Sequence, residues 1–320
     1  MKLEAIVWSQ RHGCWLKPPM LAGARLLRGA NAAAVLDCTL VKGGELDFGE
    51  GAEIRLLAEG ETVFRGRVFG KRRRQPELIG VRAYDGLRYL QNRDCCIFRD
   101  FSPGEMVKRI CGECGLVPGD VADCGLRLGV RAYDGRRYLD MVGEVLGEVL
   151  QAKGRHYFIF DENGRICLRS CRDMQVNIVL TPECAGGYEY STGIDRDCYN
   201  RVKVIYEDKR KGRRRQFVAE DREKLRLWGP LQLVSKNADA AEQSYAKAAE
   251  LLRQGGRRLE EMWVREAPAD LRVRGGSMVG VRWNLGEKLV DGWAIVREVE
   301  FVFCGAEALM NLRLELAEHF

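Results

Sequence analysis

The sequence lacks any long apolar run. No stretch approaches the roughly 20 consecutive apolar residues that a membrane-spanning helix needs, so we expect no membrane insertion. Residues 1–8 are too short and too quickly polar for a secretory signal, and we interpret them as a first strand. Twelve cysteines in a chain without such a signal indicate a reducing compartment, where thiols stay free and pack as small apolar groups.

Familiar catalytic and nucleotide-binding motifs are also missing. The chain contains no H-E-x-x-H zinc motif, no G-x-S-x-G nucleophile elbow, no G-x-x-x-x-G-K-[ST] phosphate loop and no G-x-G-x-x-G fingerprint. Its three histidines, His12, His156 and His319, lie outside any catalytic pattern. We therefore predict that the protein is not an enzyme, and that it has no catalytic, cofactor-binding or metal-binding residues and no cofactor.

Five cysteines raise the alternative of a zinc site. Cys111 and Cys114 are spaced so that two thiolates could share one ion, and Cys124 and the Cys95-Cys96 pair are nearby in sequence. A second pair with suitable spacing is missing, and Cys111 and Cys114 both fall on the apolar side of a predicted helix. We therefore favour packed thiols, and zinc binding by some of the twelve cysteines stays open.

The net charge of +6 is concentrated in one region. Residues 201–230 hold eleven Lys or Arg against five Asp or Glu, so the rest of the chain is neutral. Two basic runs, residues 71–74 and the run from Lys209 to Arg215, could bind phosphate, but neither contains aromatic side chains for base stacking. We interpret both runs as solvated hairpin tips or protein contacts, and nucleic-acid binding as the alternative.

One nine-residue stretch occurs twice. Residues 82–90 and residues 131–139 agree at eight of nine positions and share the order Arg-Ala-Tyr-Asp-Gly. Each copy is typical of an apolar strand end, an Asp-Gly break and the first turn of a helix. The carboxylate can accept the free N–H groups of that turn and lies at the positive end of the helix dipole. We therefore predict that Asp85 and Asp134 cap helices, in preference to a catalytic role for the pair.

The residue pattern predicts a strand-dominated α+β fold in three segments. Short apolar strands with tight turns in residues 1–92 predict a small β-barrel domain. Residues 93–194 contain a capping box at Ser102, a second helix and an Asn-Gly hairpin, which predict an inserted α+β domain. Residues 195–320 predict a second small β-barrel domain with one helix at about 237–254. The strands predicted after that helix are residues 258–264, 271–274, 277–282, 293–303 and 309–316.

The order of these segments resembles a known family. The motifs that carry the resemblance cover most of the chain and weaken after Glu207. They are residues 51–56, 63–68, 82–85, 89–90, 102–111, 138–141, 157–168 and 200–204. With them the chain resembles the baseplate hub proteins of contractile phage tails and tailocins, of the PBSX-prophage type related to the phage late control protein D group.

The resemblance implies a structural virion component. Hubs of this family are trimers in which two tube-type β-barrel domains per subunit form a pseudo-sixfold ring that adapts the tail tube to the central spike. The implied partners are further copies of the chain, the tail tube protein, the central spike protein and other baseplate subunits, with DNA passing through the lumen. The implied location is the bacterial cytoplasm during assembly and the baseplate afterwards.

A different class of function stays open beside the hub. The carboxylates could serve a tail-associated enzyme such as a cell-wall hydrolase, and the basic runs could serve a nucleic-acid-binding factor. The sequence also leaves open whether the particle is an infectious phage, a bacteriocin or another injection device.

Overall fold

Strands dominate the architecture. The computed structural model describes residues 1–44, 46–196, 198–208, 212–237, 241–286, 288–305 and 307–316. In this part of the chain, twenty-one strands stand beside four α-helices and three 3-10 helices, which confirms the strand-dominated α+β prediction. Within it, no helix is both long and apolar enough to cross a membrane.

The first strands alternate buried and exposed residues, as a sheet with one covered face requires. Glu59 and Gly60, both at positive φ, form the predicted tight turn between two of them. The elements are β1 (Leu3–Ser9), β2 (Cys14–Leu16), β3 (Ala24–Gly29), β4 (Val35–Val41), β5 (Glu53–Ala58), β6 (Glu61–Gln75), β7 (Leu78–Tyr84) and the 3-10 helix η1 (Gly86–Gln91).

The middle of the chain contains the predicted helices and hairpin. Glu105 N donates to Ser102 Oγ at 3.2 Å and Ser102 N donates to the Glu105 carboxylate at 2.7 Å, which confirms the capping box. Asn163 and Gly164, at φ 52° and 92°, confirm the tight hairpin turn. The elements are β8 (Arg93–Phe98), α1 (Pro103–Glu113), β9 (Val117–Val121), β10 (Arg131–Arg137), α2 (Tyr138–Lys153), β11 (Tyr157–Glu162), β12 (Arg165–Ser170), η2 (Cys171–Met174), β13 (Gln175–Leu180), η3 (Pro182–Cys184) and β14 (Gly187–Gly193).

The last part of the chain returns to strands. Its elements are β15 (Arg201–Asp208), β16 (Arg213–Glu220), α3 (Arg222–Trp228), β17 (Gln232–Asn237), α4 (Ala241–Gly255), β18 (Leu259–Pro268), β19 (Met278–Asn284), β20 (Leu289–Cys304) and β21 (Glu307–Leu316). The helix predicted at about 237–254 corresponds to α4, and residues 238–240 lie outside the described residues. The strand predicted at residues 271–274 is wrong, because the Asp270 carboxylate accepts the backbone N–H of Arg272 at 3.0 Å and turns the chain there.

One thirteen-stranded sheet contains strands from both ends of the chain. Its order is β14-β18-β21-β20-β3-β4-β7-β6-β5-β1-β2, with β19 pairing with β20 and β13 with β19. Antiparallel pairing of β3 with β20 places Leu26 opposite Phe301, and both side chains belong to one buried core. Among the described residues this order is an open path, so no strand pair closes it into a ring.

Contacts divide the chain into two units, Met1–Glu189 with Met262–Phe320, and Tyr190–Glu261. The first unit contains the core of the large sheet and a second core around α1 and α2. In the second unit, a sheet of order β16-β15-β17 packs Val202 and Val204 against Ala248 and Leu251 of α4. The division at residues 92 and 194 into two barrel domains and an insert stays a prediction.

Candidate functional site

The first copy of the repeated stretch ends at a buried carboxylate. Asp85 follows β7, and its Oδ1 accepts the N–H of Leu87 at 3.0 Å, so it caps η1 as predicted. Its Oδ2 accepts the N–H of Ala34 at 3.0 Å, and Asp85 N donates to the carbonyl of Ala34 at 3.2 Å. Because Asp85 is only 5% exposed, this one side chain satisfies two buried backbone donors.

A second carboxylate reaches the same place from the β11-β12 hairpin. Asp161 Oδ2 accepts the N–H of Gly86 at 2.8 Å, and its Oδ1 accepts the N–H of Gly164 at 2.6 Å. A Cβ at Gly86 would lie 2.6 Å from Asp161 Oδ2, which is closer than nonbonded atoms approach. Glycine is therefore needed at position 86 for space, because the hairpin approaches the backbone there.

Two arginines complete what we call the Asp85 junction, which consists of Asp85, Asp161, Arg28 and Arg274. Arg28 Nη1 donates to the carbonyls of Leu271 at 2.8 Å and Val273 at 3.3 Å, and its Nη2 donates to the carbonyl of Val63. Arg274 Nη1 donates to the carbonyl of Asp161 at 3.3 Å, and its guanidinium lies 4.6 Å from the ring centre of Phe160. The junction thus joins backbone from the first 92 residues, the hairpin and residues 271–274.

Burial dominates the electrostatics of the junction. It raises the pKa of the Asp85 carboxyl well above its ordinary value, with the nearby Asp161 carboxylate as the second cause, while Arg28 acts in the opposite direction. Burial also raises the pKa of Asp161, and burial followed by Arg274 lowers the pKa of Arg28. The hydrogen bonds given above join all four side chains to backbone groups, and Arg274 also lies 3.9 Å from the carboxylate of Glu162, so the geometry holds chain segments together.

The second copy of the repeated stretch is arranged differently. Asp134 is exposed and lies at an irregularity in β10 between Tyr133 and Arg136, where its Oδ1 accepts the Cys95 Sγ–H at 3.0 Å. Helix α2 begins at Tyr138 with Arg137 at its N-cap and no side-chain capping bond. The prediction that Asp134 caps a helix is therefore wrong. The physical reason is that β10 continues to pair with β8 through Arg137, so the chain is still extended beyond Asp134.

Seven of the twelve cysteines are buried and two are half-buried, while Cys14, Cys95 and Cys304 are exposed. All twelve are free, and Cys111 and Cys124 are buried in the core around α1 and α2, where burial raises the pKa of each thiol to about 12. A thiol that resists deprotonation is a poor zinc ligand. In the residues that the structure describes, no group of three or more His, Cys, Asp or Glu side chains could hold a metal ion.

The remaining residues named from the sequence lie apart from the junction. His12 is exposed in the turn after β1, and burial lowers the pKa of the half-buried His156 beside Phe158. His319 lies outside the described residues. The sequence did not point to the role of Asp161, whose only visible signal was a place beside the Asn163-Gly164 turn.

The described residues of the two basic runs lie at strand ends. Residues 71–74 form the far end of β6, where Lys71 donates to the carbonyl of Phe48 at 2.6 Å and the three arginines are exposed. In the second run, residues 209–211 lie outside the described residues, and Arg213, Arg214 and Arg215 are exposed on β16. Arg214 lies 3.8 Å from the carboxylate of Glu207.

Comparisons with known proteins find relatives among prophage proteins. A family model described as YQBQ-like matches residues 28–315. The chain is 27% identical over 198 residues to the phage-like element PBSX protein XkdQ of Bacillus subtilis strain 168, covering 61% of this chain. That alignment spans 60% of the length of the Bacillus protein.

Solved structures share the fold. A tail protein from Neisseria meningitidis MC58 superposes with a TM-score of 0.71 at 12% identity, over 99% of this chain and 97% of that one. The Escherichia coli c3393 protein superposes with a TM-score of 0.58 at 11% identity, over 100% of this chain and 78% of that one. The latter is described as a component of the type VI secretion system with structural similarity to the T4 bacteriophage tail proteins gp27 and gp5.

Proposed function

Because the chain belongs to the YQBQ-like family, we propose that this phage tail protein is a structural baseplate hub subunit of a contractile tail or phage-tail-like particle. In this role it forms a trimeric, pseudo-sixfold ring that adapts the tail tube to the central spike. The observation that carries the proposal is the pairing of β3 with β20, which places strands from the two ends of the chain side by side. Such an arrangement is compatible with a ring in which each subunit contributes strands from both ends of its chain.

Two barrel-type domains are part of the proposal. Residues 1–92 and residues 195–320 would each contribute one, with residues 93–194 inserted between them. The Asp85 junction supports this reading of the insert, because it fixes the β11-β12 hairpin to the end of β7 and to residues 271–274.

Strand edges supply the means of assembly. Within the described residues, β2, β13 and β14 end the branches of the large sheet and each pairs with one strand only. Pairing between copies would satisfy the open edges and close a ring. The proposed partners are two further copies of the chain, the tail tube protein, the central spike protein and other baseplate subunits. Assembly would take place in the bacterial cytoplasm, followed by residence in the baseplate.

The proposed role is structural and non-enzymatic. The buried carboxylates of the Asp85 junction accept backbone N–H groups and leave no acid and base facing a shared cleft. No particular observation favours a cell-wall hydrolase, and none favours nucleic-acid binding by the two basic runs.

Light scattering on purified protein tests the hub directly. We expect the mass of a trimer at micromolar concentration, and binding to purified tube and spike subunits. A monomer at high concentration that binds neither subunit would contradict the proposal. Turnover of cell-wall material in a zymogram would favour the enzyme instead.

A further inference from the structure

The outer face of the first strands brings aromatic rings and arginines together. Ala5, Val7, Ile54 and Leu56 point into the core, so the alternate residues on β1 and β5 point away from it. The same alternation holds on β6 and β7. We call the resulting surface the aromatic-arginine face, and define it by Trp8, Trp15, Arg55, Arg65, Arg67, Phe69, Tyr84, Arg88 and Tyr89.

One end of this face is a tryptophan pair. Trp8 on β1 lies opposite Trp15 on β2, with ring centres 5.5 Å apart at 70°. The guanidinium of Arg55 lies 4.4 Å from the ring centre of Trp15, which is 37% exposed. Beside the pair is an open groove of about 380 Å³, lined by the two tryptophans, Gln10, residues 51–53 and Arg67.

The other end is a second aromatic cluster. Phe69 on β6 is 38% exposed and meets Tyr84 on β7 with ring centres 5.2 Å apart. The ring centre of Tyr89 in η1 lies 6.0 Å from the ring centre of Phe69, and the guanidinium of Arg88 lies 5.4 Å from that same centre. Each end of the face therefore presents exposed aromatic carbon next to a guanidinium, a combination on which flat, electron-rich groups stack.

Positive charge is in excess between the two ends. Glu53 accepts hydrogen bonds from Arg55 at 2.9 Å and Arg65 at 2.7 Å, so one carboxylate faces two guanidiniums. Arg67 donates to the carbonyl of Gly51 at 2.8 Å and has no carboxylate partner among the described residues. With Arg88 included, four guanidiniums stand against Glu53 and against Asp161, which interacts with Arg65, and the remaining positive charge favours an anionic occupant.

The spacing of the two ends suits a chain of nucleotides. From Trp8 to Tyr84 the sheet crosses three strand steps, β1 to β5 to β6 to β7. At the usual strand spacing these steps amount to about 14 Å. A segment of roughly four nucleotides, the lower end of the range bound by comparable sheet surfaces, would place a base at each aromatic end with phosphates between them.

We propose that the aromatic-arginine face binds single-stranded nucleic acid without sequence preference. One base stacks at the Trp8-Trp15 groove, another stacks at Phe69 and Arg88, and Arg65 and Arg67 hold the intervening phosphates. Neither basic run contributes to this site. It was invisible in the sequence because its rings and guanidiniums come from six different elements. The proposal goes beyond the hub function and does not depend on it.

Fluorescence anisotropy with a labelled oligothymidine of about twelve nucleotides tests the site on the full chain at low salt. We expect Trp15→Ala to weaken binding roughly tenfold or more, as for the loss of one stacked base. We expect Arg67→Ala to weaken binding and to reduce the slope of log affinity against log salt by about one. Tryptophan fluorescence of the unsubstituted protein should be quenched on binding, because a base stacks on an indole.

Matched control variants distinguish a loss of binding at the face from a general effect of charge and from misfolding. Trp263→Ala removes another tryptophan that is 36% exposed beneath an arginine, Arg313 at 5.5 Å, and should bind like the unsubstituted protein. Arg226→Ala removes an exposed arginine of α3 and should also have no effect. Circular dichroism checks that Trp15→Ala is folded, and Phe69→Ala gives an independent loss at the other end.

Three results would overturn the proposal. They are no binding at low salt, equal affinity of the Trp15→Ala and Trp263→Ala variants, and complete competition by polyglutamate at equal charge. The last result would assign the face to acidic protein segments.

Discussion

The two copies of the Arg-Ala-Tyr-Asp-Gly stretch are nearly identical in sequence and different in structure. In residues 82–90 the chain leaves a strand at Asp85, which is buried and holds two backbone N–H groups. In residues 131–139 the chain stays extended past Asp134, which is exposed and accepts a hydrogen bond from the Cys95 thiol. The same local sequence can form a helix cap or a continuing strand, and the contacts around each copy determine which of the two forms.

The neighbours of each copy explain the difference. The first copy meets Ala34 and the hairpin residue Asp161, which supply one donor and two acceptors around Asp85 and Gly86. The second copy meets β8, which pairs with it on both sides of the irregularity at Asp134. A partner strand therefore replaced the capping interaction, and α2 begins four residues later without a side-chain cap.

The largest difference should be seen when the two aspartates are removed. Asp85→Ala leaves the buried N–H groups of Ala34 and Leu87 without an acceptor, and we expect a loss of about 2–3 kcal/mol in the free energy of unfolding. Asp134→Ala should change it by less than about 0.5 kcal/mol. Urea unfolding followed by tryptophan fluorescence measures both. A loss below about 0.5 kcal/mol for Asp85→Ala as well would show that the junction does not stabilise the fold.

The second largest difference should be between alanine substitutions of the two glycines that follow the aspartates. A Cβ at Gly86 meets Asp161 Oδ2, so Gly86→Ala should displace that carboxylate and cost about 1–3 kcal/mol. Gly135 has open space and a φ of 60°, so Gly135→Ala should cost only backbone strain of about 1 kcal/mol.

A double-mutant cycle gives the sharper control for Gly86. In an Asp161→Ala background the added methyl group no longer meets a carboxylate, so the cost of Gly86→Ala should fall. An unchanged cost in that background would mean that the contact with Asp161 is not the cause.

The sequence predicted the local features and missed those set by contacts between distant segments. The turns at Glu59-Gly60 and Asn163-Gly164 and the capping box at Ser102 depend on neighbouring residues, and all three are confirmed. The role of Asp161 depends on Gly86, 75 positions away, and no periodicity reveals such a contact. The same limit applies to Asp134.

The smallest effect should come from giving the second copy the cap that it lacks. Asn is a preferred N-cap residue, so Arg137→Asn should stabilise α2 by about 0.5–1 kcal/mol. The substitution also removes the exposed ion pair between Arg137 and Asp140, whose charged atoms lie 3.0 Å apart. Its loss should reduce the gain in the free energy of unfolding by roughly 0.3 kcal/mol.

The neighbouring arginine is the matched control for that gain. Arg136→Asn removes the exposed ion pair with Glu144 without adding a cap, and should give no gain in the free energy of unfolding. The thermal unfolding midpoints of the two variants measure the difference. A stabilised Arg136→Asn variant, or a destabilised Arg137→Asn variant, would contradict the account of the missing cap.

Electron microscopy of the purified protein tests the central claim, a ring-forming structural subunit, most directly. The account predicts particles that look sixfold in end-on averages and resolve into three subunits, each contributing strands from both ends of its chain. Isolated single subunits at every concentration, or rings in which each subunit contributes one strand-rich body, would contradict it.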